Sequence, residues 1–403
     1  MRQLHLPAGS VLIGAGFLTL AIAFADRVLF ALVMPAISSE TGWGTVLLSS
    51  AMSATLIVSG VLTPFAGRLL DRRGPRSVLA IGLALIAVGM ALLAVAKAPW
   101  LVVLGFGLVA GSGFSLVSTS VVSTAVAVMF EKNRGFATGI ATSGESAGQF
   151  LLIPAFAVLL AVSSWRLTVA VAATASLLGL VLVLRVMPRT AAKRETVSTP
   201  PATALAGDLA FLLRDPTFLA LFVSYFICGL TSTGFVESQF MPYTTFCGFP
   251  PVLTATAFGA LSLCNMLGML LSGWLTDRVN RVALLALIYF VRGLSFLLLL
   301  NTGADYTTLA IFALAFGFAD YSTVPVTVSL CASSLGVHRL GFAFGLISGG
   351  HAIAAAVGAI LGGALFDGTG SYAAMWLVGV WTALAAAVLV LSLPVLRGRQ
   401  ATA

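Results

Sequence analysis

Charged residues are scarce in this chain: they make up 8% of its 403 residues, whereas a soluble globular domain carries about 25%. So few charges cannot cover a soluble surface, and the hydrophobic fraction of 59% makes lipid the solvent that fits this composition. Histidine and cysteine are also rare, with three and four residues that show no metal-ligand spacing. No nucleotide-binding loop or nucleophile triad occurs either. We therefore expect no enzyme activity, no catalytic residue, no metal and no cofactor.

Hydrophobic stretches are what the chain has in abundance, and twelve of them approach the roughly 20 residues that cross a bilayer. They lack the strict alternation of barrel strands, which predicts an all-α membrane protein. The predicted spans are 10–37, 45–70, 76–96, 99–128, 134–162, 165–186, 217–240, 252–276, 280–301, 305–331, 339–366 and 371–395. A polar segment, 187–216, predicts a flexible linker between an N-terminal half, 1–186, and a C-terminal half, 217–403.

Lys and Arg are distributed unevenly between the two sides of the predicted membrane. With the N-terminus in the cytoplasm, 17 of the 21 lie in cytoplasmic segments, so the positive-inside rule places both termini and the linker there. Topology and anionic lipid headgroups thus explain the basic balance, and nucleic acid is not a predicted partner. From the short loops and the absence of a targeting extension we expect a multi-pass protein of a bacterial inner membrane. We also expect a monomer.

The two halves repeat one another at an offset of about 206 residues. GRLLDR at 67–72 recurs as GWLTDR at 273–278, and GFATGIATSG at 135–144 recurs as GFAFGLISGG at 341–350. Met34-Pro35 also recurs, as Met241-Pro242. Three matches in the same order predict two homologous six-helix bundles related by an axis along the membrane normal.

The segment GRLLDRRGPR (67–76) resembles the signature loop of the major facilitator superfamily, G-x-x-x-D-R-x-G-x-R. This resemblance implies the superfamily's twelve-helix fold, with substrate transported by alternating access of the two halves. It also implies that the motif residues govern conformational change and do not bind substrate. These residues are Gly67, Asp71, Arg72, Gly74 and Arg76, with Asp277 and Arg278 in the second copy.

A narrower resemblance is to the bacterial branch of the monocarboxylate-transporter-like proteins. It rests on FEKNRGFATGIATSG (130–144), TGW (41–43), TPFAGRLLD (63–71) and LFDGTGSY (365–372). The chain departs from the animal members in two places: it lacks their acidic Gly-rich motif at the start of helix 1, and helix 8 carries Asn265 in place of their arginine. It also lacks the helix 4 arginine and the helix 5 Gly-Pro pair of the superfamily's drug–proton antiporters.

Ionisable residues inside the membrane are costly and by default mark function. Glu145 and His351 occupy equivalent positions in the two halves, about 16 and 18 Å into their helices at 1.5 Å per residue. A carboxyl group and an imidazole at mid-membrane can exchange protons, so both are candidates for substrate contact and proton coupling. The alternative is that each is a neutral, hydrogen-bonded packing residue beside Ser146 or Ser348.

Five further polar groups within spans leave alternatives open. Arg27 is a candidate for binding an anion. The alternative is that Asp26 and Arg27 are an internal pair with a neighbouring helix and do not contact substrate. Arg292 is a candidate for a substrate carboxylate, or for a buried ion pair with Asp320, itself a candidate for proton coupling. Glu237 could gate the cavity or simply be hydrated. Weaker candidates for hydrogen bonds in the cavity are Tyr243, Tyr321 and Gln149.

Two function hypotheses follow. The first is a proton-coupled transporter of a small organic anion, a monocarboxylate by the narrower resemblance. The second is a facilitator or exporter of a neutral or amphipathic molecule, in which the intramembrane charges are structural. A membrane enzyme or receptor would need a catalytic constellation or a soluble signalling domain, and loops this short hold neither.

Overall fold

The computed structural model describes residues 8–43, 45–130, 132–187, 203–303, 305–337 and 339–393. Within these ranges every regular element is a helix, and eleven helical stretches are long and apolar enough to cross a membrane. The helix Thr45–Ala94 provides two crossings because it breaks at Gly74 (φ 74°, ψ 167°), a backbone conformation that glycine adopts without steric cost. The predicted twelve-helix architecture is therefore confirmed.

We number the spans in chain order. Span 1 is Ala8–Thr41, and spans 2 and 3 share Thr45–Ala94. The others are Pro99–Met129 (4), Arg134–Val162 (5), Trp165–Val186 (6), Pro216–Phe246 (7), Pro251–Thr276 (8), Arg281–Leu300 (9), Tyr306–Leu335 (10), Leu340–Thr369 (11) and Ala373–Leu391 (12). Short polar caps start several of them: the Asp215 carboxylate accepts the N–H groups of Thr217 and Phe218 at the start of span 7.

The segment between spans 6 and 7 contains a helix that the sequence analysis missed, Thr203–Arg214, which we call the linker helix. Residues 188–202 of the predicted linker lie outside the described residues, as do Arg2, Arg397 and Arg399. We call the side of the bundle that carries the linker helix the linker side. The opposite side, with Lys97 and Asp305 in its loops, is the far side.

Buried apolar residues form one cluster within Leu12–Met187 and two in the remainder of the chain. The second cluster lies toward the linker side of spans 7 to 12 and also takes in Ala127 of span 4; the third lies toward the far side. A polar layer around Arg292 separates these two clusters. The outer helix faces carry exposed apolar side chains such as Val162, Ile360 and Trp381, which suit contact with lipid tails.

Four spans depart from regular α-helix at mid-depth. Span 4 is interrupted at Val117–Ser118 and span 5 at Ser143. Span 7 widens to a π-helix over Leu230–Glu237, and span 10 breaks between Ala319 and Thr323. In a membrane, irregular backbone persists only where protein or a polar cavity satisfies it, so these interruptions point to a site at their common level.

Candidate functional site

A cavity of about 140 Å³ lies between the two sets of six spans, at the level of the helix interruptions. Residues of spans 1, 2, 4, 5, 7, 10 and 11 line it. Its apolar wall includes Phe24, Leu56, Phe114 and Val324. The polar and ionisable residues are Arg27, Ser59, Thr63, Ser118, Thr119, Ser120, Glu145, Tyr225, Thr233, Tyr321, Ser348 and His351. Three predicted site residues, Arg27, Glu145 and His351, thus line the same cavity.

Glu145 and His351 reach the cavity from equivalent positions in spans 5 and 11. Glu145 is only 3% exposed, and its Oε2 accepts a hydrogen bond of 2.6 Å from the Thr119 hydroxyl. The His351 ring lies 5.0 Å from the Tyr225 ring, centroid to centroid. Glu145 takes this hydrogen bond from span 4, because the break at Val117–Ser118 turns Thr119 toward it.

Arg27 and Asp26 point to different surroundings, as adjacent residues on a helix must. Arg27 lines the cavity, with its guanidinium carbon 5.1 Å from the Phe24 ring centroid. Among the described residues it has no ion pair within 4 Å. Asp26 is buried and accepts a 2.7 Å hydrogen bond from Ser176 of span 6. Within the described part of the chain, Arg27 therefore does not form the internal ion pair with a neighbouring helix that was the alternative.

Arg292 and Asp320 form the predicted ion pair, with Nη2 3.2 Å from Oδ1. Arg292 is fully buried, and its Nη1 donates to the Cys228 thiol at 2.9 Å and to the Ser232 hydroxyl at 3.0 Å. Asp320 also accepts hydrogen bonds from Ser232 and from Asn265. This network ties span 9 to spans 7, 8 and 10.

Neither member of the ion pair lies among the cavity-lining residues. The structure therefore places Arg292 behind the cavity wall, where its two terminal nitrogens donate to protein groups rather than to a substrate carboxylate. Asp320 is likewise 1% exposed. Tyr243 and Gln149 are also absent from the lining, and the Tyr243 hydroxyl donates to the Leu299 carbonyl at 2.5 Å.

Tyr321 lines the cavity and links it to Glu237, a contact that sequence reasoning did not find. The Tyr321 hydroxyl donates to the Glu237 Oε1, and the Tyr321 backbone N–H donates to the Asn265 Oδ1 at 2.9 Å. The break in span 10 sets this orientation, because the residue beside Asp320 leaves the helical path. The sequence signal for this contact is weak: an ionisable residue, Glu237, in span 7 and a tyrosine, Tyr321, next to Asp320 in span 10.

The two sets of spans touch closely on the linker side through glycines of the repeated motifs. A Cβ on Gly67 of span 2 would come within 2.0 Å of the Gly341 carbonyl oxygen of span 11. A Cβ on Gly135 of span 5 would come within 2.5 Å of the Gly273 carbonyl oxygen of span 8. The 206-residue offset maps one crossing onto the other, so each copy of the first motif packs against the second motif of the opposite half.

An aspartate caps the opposing helix at each crossing. The Asp71 carboxylate accepts the Phe342 N–H at 3.2 Å, and Asp277 accepts the N–H groups of Gly135 and Phe136, each at 2.9 Å. The unpaired N–H groups and the positive end of a helix dipole favour a carboxylate at this position. Both aspartates thus bridge the halves on the linker side, which is closed here.

The remaining motif residues act within one half. Gly74 forms the turn between spans 2 and 3, and Arg76 donates to the Leu184 carbonyl at the end of span 6 at 2.6 Å. Arg278 donates to the Trp274 carbonyl of its own helix at 3.1 Å. Arg72 is exposed.

Comparison with known proteins identifies relatives along most of the chain. A family model described as Major Facilitator Superfamily matches residues 16–300 and 240–402. An uncharacterized MFS-type transporter, YcxA of Bacillus subtilis (strain 168), is 26% identical over 340 residues, which cover 81% of this chain and 80% of the relative. Monocarboxylate transporter 13 of Rattus norvegicus is 29% identical over 343 residues, covering 82% and 76%.

Solved structures agree with the fold. The transporter FucP in its outward conformation superposes with a TM-score of 0.75, covering 96% of this chain and 98% of that one at 16% identity. The human organic anion transporter MFSD10 (TETRAN) superposes with a TM-score of 0.74 at the same identity, covering 96% and 100%.

Proposed function

Because the chain belongs to the Major Facilitator Superfamily and is a membrane transporter, we propose that it carries a small monocarboxylate together with a proton, by alternating access of its two halves. The observation that carries this proposal is the Arg27 guanidinium. It lines a mid-membrane cavity shared by both halves and has no ion pair within 4 Å among the described residues. A cation held at this depth outside any ion pair of the described residues suits an anionic substrate.

Electrostatics around Arg27 support a role for Glu145. The positive charge of Arg27 acts on the Glu145 carboxyl group, which faces the same cavity. An ionised Glu145 competes with a substrate anion for Arg27, whereas a protonated Glu145 leaves Arg27 free. Proton uptake would therefore precede anion binding, and release of the anion would follow loss of the proton. His351, in the equivalent position of the other half, is our second candidate for proton exchange.

The dimensions and polarity of the cavity favour a small substrate. Its volume of about 140 Å³ is close to the roughly 150 Å³ that accommodates one benzene molecule, which has six non-hydrogen atoms. Pyruvate and lactate have about the same size. Ser120 lines the cavity, and its hydroxyl is buried without a hydrogen-bond partner in the described part of the chain. It is our candidate for binding the substrate's second oxygen function.

The buried ion pair has a different role in this proposal. Arg292 and Asp320 hold spans 7, 9 and 10 together behind the cavity wall, so we assign them to positioning rather than to substrate or proton binding. By the positive-inside distribution the linker side faces the cytoplasm. The closed linker side then makes this conformation one that loads from the far side, at a bacterial inner membrane.

Uptake by purified protein in liposomes tests the function directly. Labelled pyruvate, lactate and larger carboxylates are offered with and without a pH gradient that is acidic on the far side. We expect gradient-driven accumulation of the three-carbon acids and little uptake of larger ones. No carboxylate flux, with or without the gradient, would favour a facilitator or exporter of neutral or amphipathic molecules instead.

Matched arginine variants isolate the substrate site. Arg27→Gln removes the proposed counter-charge and should lower pyruvate uptake about a hundredfold, the scale of about 3 kcal/mol for a lost charged hydrogen bond. Arg27→Lys should recover part of it. Arg166→Gln is the control, because Arg166 pairs with Glu40 in an exposed position on the far side. Equal uptake by Arg27→Gln and Arg166→Gln would contradict the assignment.

A further inference from the structure

Phe114 is an aromatic residue of the cavity wall that the proposed transport cycle does not use. We propose that its ring is a rigid wall that sets the upper size of the substrate and limits transport to 2-oxo and 2-hydroxy acids with a short side chain. This inference rests on the proposed function and adds to it the residue that determines substrate size.

The lining that span 4 contributes changes from apolar to polar at the helix break. Phe114 and Val117 lie at the far-side end of this lining, whereas Ser118, Thr119 and Ser120 lie nearer the linker side. Ligand sites of this kind combine apolar walls with a few polar groups that fix the orientation of the ligand. A substrate whose oxygen atoms lie beside the hydroxyl groups therefore turns its hydrocarbon end toward Phe114.

Two further aromatic rings support Phe114 from behind. Phe114 is only 5% exposed and meets the Phe106 ring edge-on, with 6.0 Å between the centroids and an interplanar angle of 65°, a favoured geometry for aromatic pairs. Phe106 is fully buried and stacks on Phe30 of span 1, with the centroids 4.0 Å apart. Because protein interiors are close-packed, this row of rings resists displacement of Phe114 by a larger substrate.

The backbone that carries Phe114 is held in place by spans 2 and 3. The Ser59 hydroxyl of span 2 donates to the Gly111 carbonyl at 3.2 Å. At Gly113, next to Phe114, a Cβ would come within 2.7 Å of the Gly82 carbonyl oxygen of span 3, so the two backbones are in direct contact. Movement of span 4 at this level would break its packing inside the first half, and the position of Phe114 is therefore fixed.

Phe24 is the other phenylalanine of the cavity wall, and it is held less firmly than Phe114. Its side chain is half-buried, and its ring centroid lies 5.1 Å from the Arg27 guanidinium carbon. Since Arg27 is the group proposed to bind the substrate carboxylate, Phe24 can adjust together with it. Phe114, by contrast, packs against other rings, so we assign the size limit to Phe114.

Phenylpyruvate provides a direct probe of this limit, because it is pyruvate with a phenyl group on the methyl carbon. In the unmodified protein the added phenyl group would overlap the Phe114 ring. Phe114→Ala removes one phenyl ring from the apolar end of the cavity, and the space that it leaves matches the phenyl group that the larger acid adds. The variant should therefore accept phenylpyruvate and still bind pyruvate through Arg27.

Uptake into liposomes tests the size limit, with labelled pyruvate and labelled phenylpyruvate offered separately under a pH gradient that is acidic on the far side. In Phe114→Ala the ratio of phenylpyruvate to pyruvate uptake should rise by at least about tenfold, the lower end of the discrimination that one methylene group produces in a fitted apolar pocket. Phe114→Leu keeps a large apolar side chain against Phe106 and should give a smaller rise. It keeps the test valid if Phe114→Ala folds poorly.

Two control variants remove the same ring elsewhere. Phe290 of span 9 is 46% exposed, on a span that does not line the cavity, and Phe290→Ala should leave the ratio unchanged. Phe24→Ala enlarges the same cavity and should raise the ratio much less than Phe114→Ala. An unchanged ratio in both Phe114→Ala and Phe114→Leu overturns the proposal. An equal rise in Phe24→Ala also overturns it, because total volume and not Phe114 would then set the limit.

Failure of this inference can be distinguished from failure of the proposed function. Pyruvate uptake with the same selectivity in the Phe114 variants and the unmodified protein would remove the size limit and leave the proposed function standing. No uptake of either acid by the unmodified protein or by any variant would overturn the proposed function and this inference with it.

Discussion

Arg292 is a fully buried arginine whose guanidinium donates to acceptors on spans 7 and 10. Desolvating an ion pair costs about as much as its attraction returns, but removing one partner leaves an uncompensated charge. Replacing either Arg292 or Asp320 alone should therefore lower the free energy of unfolding strongly. Replacing both together should lower it much less.

We predict that Arg292→Leu and Asp320→Leu each destabilise the protein by about 3 to 5 kcal/mol, and that the double variant recovers much of this loss. Thermal unfolding in detergent, followed by tryptophan fluorescence, measures the effect. Arg166→Gln is the matched control, since exposed pairs contribute about 0 to 1 kcal/mol. Additive losses in the double variant would contradict the pairing.

Individual site residues could be predicted from sequence where an ionisable residue lies within an apolar membrane span. Arg27, Glu145 and His351 stand out because an ionisable group within an apolar span needs a reason, and the repeat paired two of them. Their partners could not be predicted in the same way. The Thr119–Glu145 and Tyr321–Glu237 contacts depend on breaks in spans 4 and 10, and a break within an apolar run has no periodicity that reveals it.

At the scale of the helices, the predicted spans agree with the observed ones to within a few residues at most ends, because bilayer thickness limits the length of an apolar run. The linker helix is the exception. Its Asp208 lies 3.7 Å from Arg68 of span 2 and 3.2 Å from Arg339 at the start of span 11. The charged and Pro-rich residues before it made the whole segment look like a linker, although most residues of the helix itself are Ala, Leu or Phe. The helix is also held by arginines remote in sequence.

We predict that Asp208→Asn weakens linker-side closure by releasing Arg68 and Arg339 from their common acid. Because both pairs are partly exposed, the change in the closed-to-open ratio should be no more than about fivefold, and high salt should produce a similar effect in the unmodified protein. Spin labels at Arg73→Cys and Val279→Cys, exposed positions on the linker side, measure the ratio. Asp367→Asn, an exposed far-side aspartate, is the control and should cause no shift.

The glycine crossings allow a sharper test of helix contact. In Gly67→Ala the new methyl group would overlap the Gly341 carbonyl, so spans 2 and 11 must separate and the linker side should fail to close. Gly14→Ala is the matched control, because nothing lies within 4 Å of a Cβ at that position. We expect pyruvate uptake to fall at least about tenfold in Gly67→Ala and to be unchanged in Gly14→Ala. Normal uptake and normal linker-side distances in Gly67→Ala would show that the contact is not needed.

At the scale of the whole molecule, the repeat has a structural meaning that the separate motifs did not reveal. The sequence offset predicted two similar halves, yet it did not show that the first motif of each half meets the second motif of the other. The structure pairs Gly67 with Gly341 and Gly273 with Gly135. This pairing arises because the halves face each other across an axis, which brings spans 2 and 5 against spans 11 and 8.

The symmetry leads to a prediction about the two aspartates. A carboxylate that accepts helix N-terminal N–H groups contributes about 1.5 to 3 kcal/mol through charged hydrogen bonds. Asp71→Ala and Asp277→Ala should therefore each lower the closed-to-open ratio of the linker side by at least about tenfold.

The double variant Asp71→Ala/Asp277→Ala distinguishes one interface from two independent contacts. If the halves move as rigid bodies, the free-energy changes of the two distant sites add, and the linker side should be open in most molecules. The labels at Arg73→Cys and Val279→Cys report this state, and Asp367→Asn again serves as the control. A double variant no more open than Asp277→Ala alone would show that only the span 5–span 8 crossing controls closure, and that the sequence symmetry does not extend to the energetics.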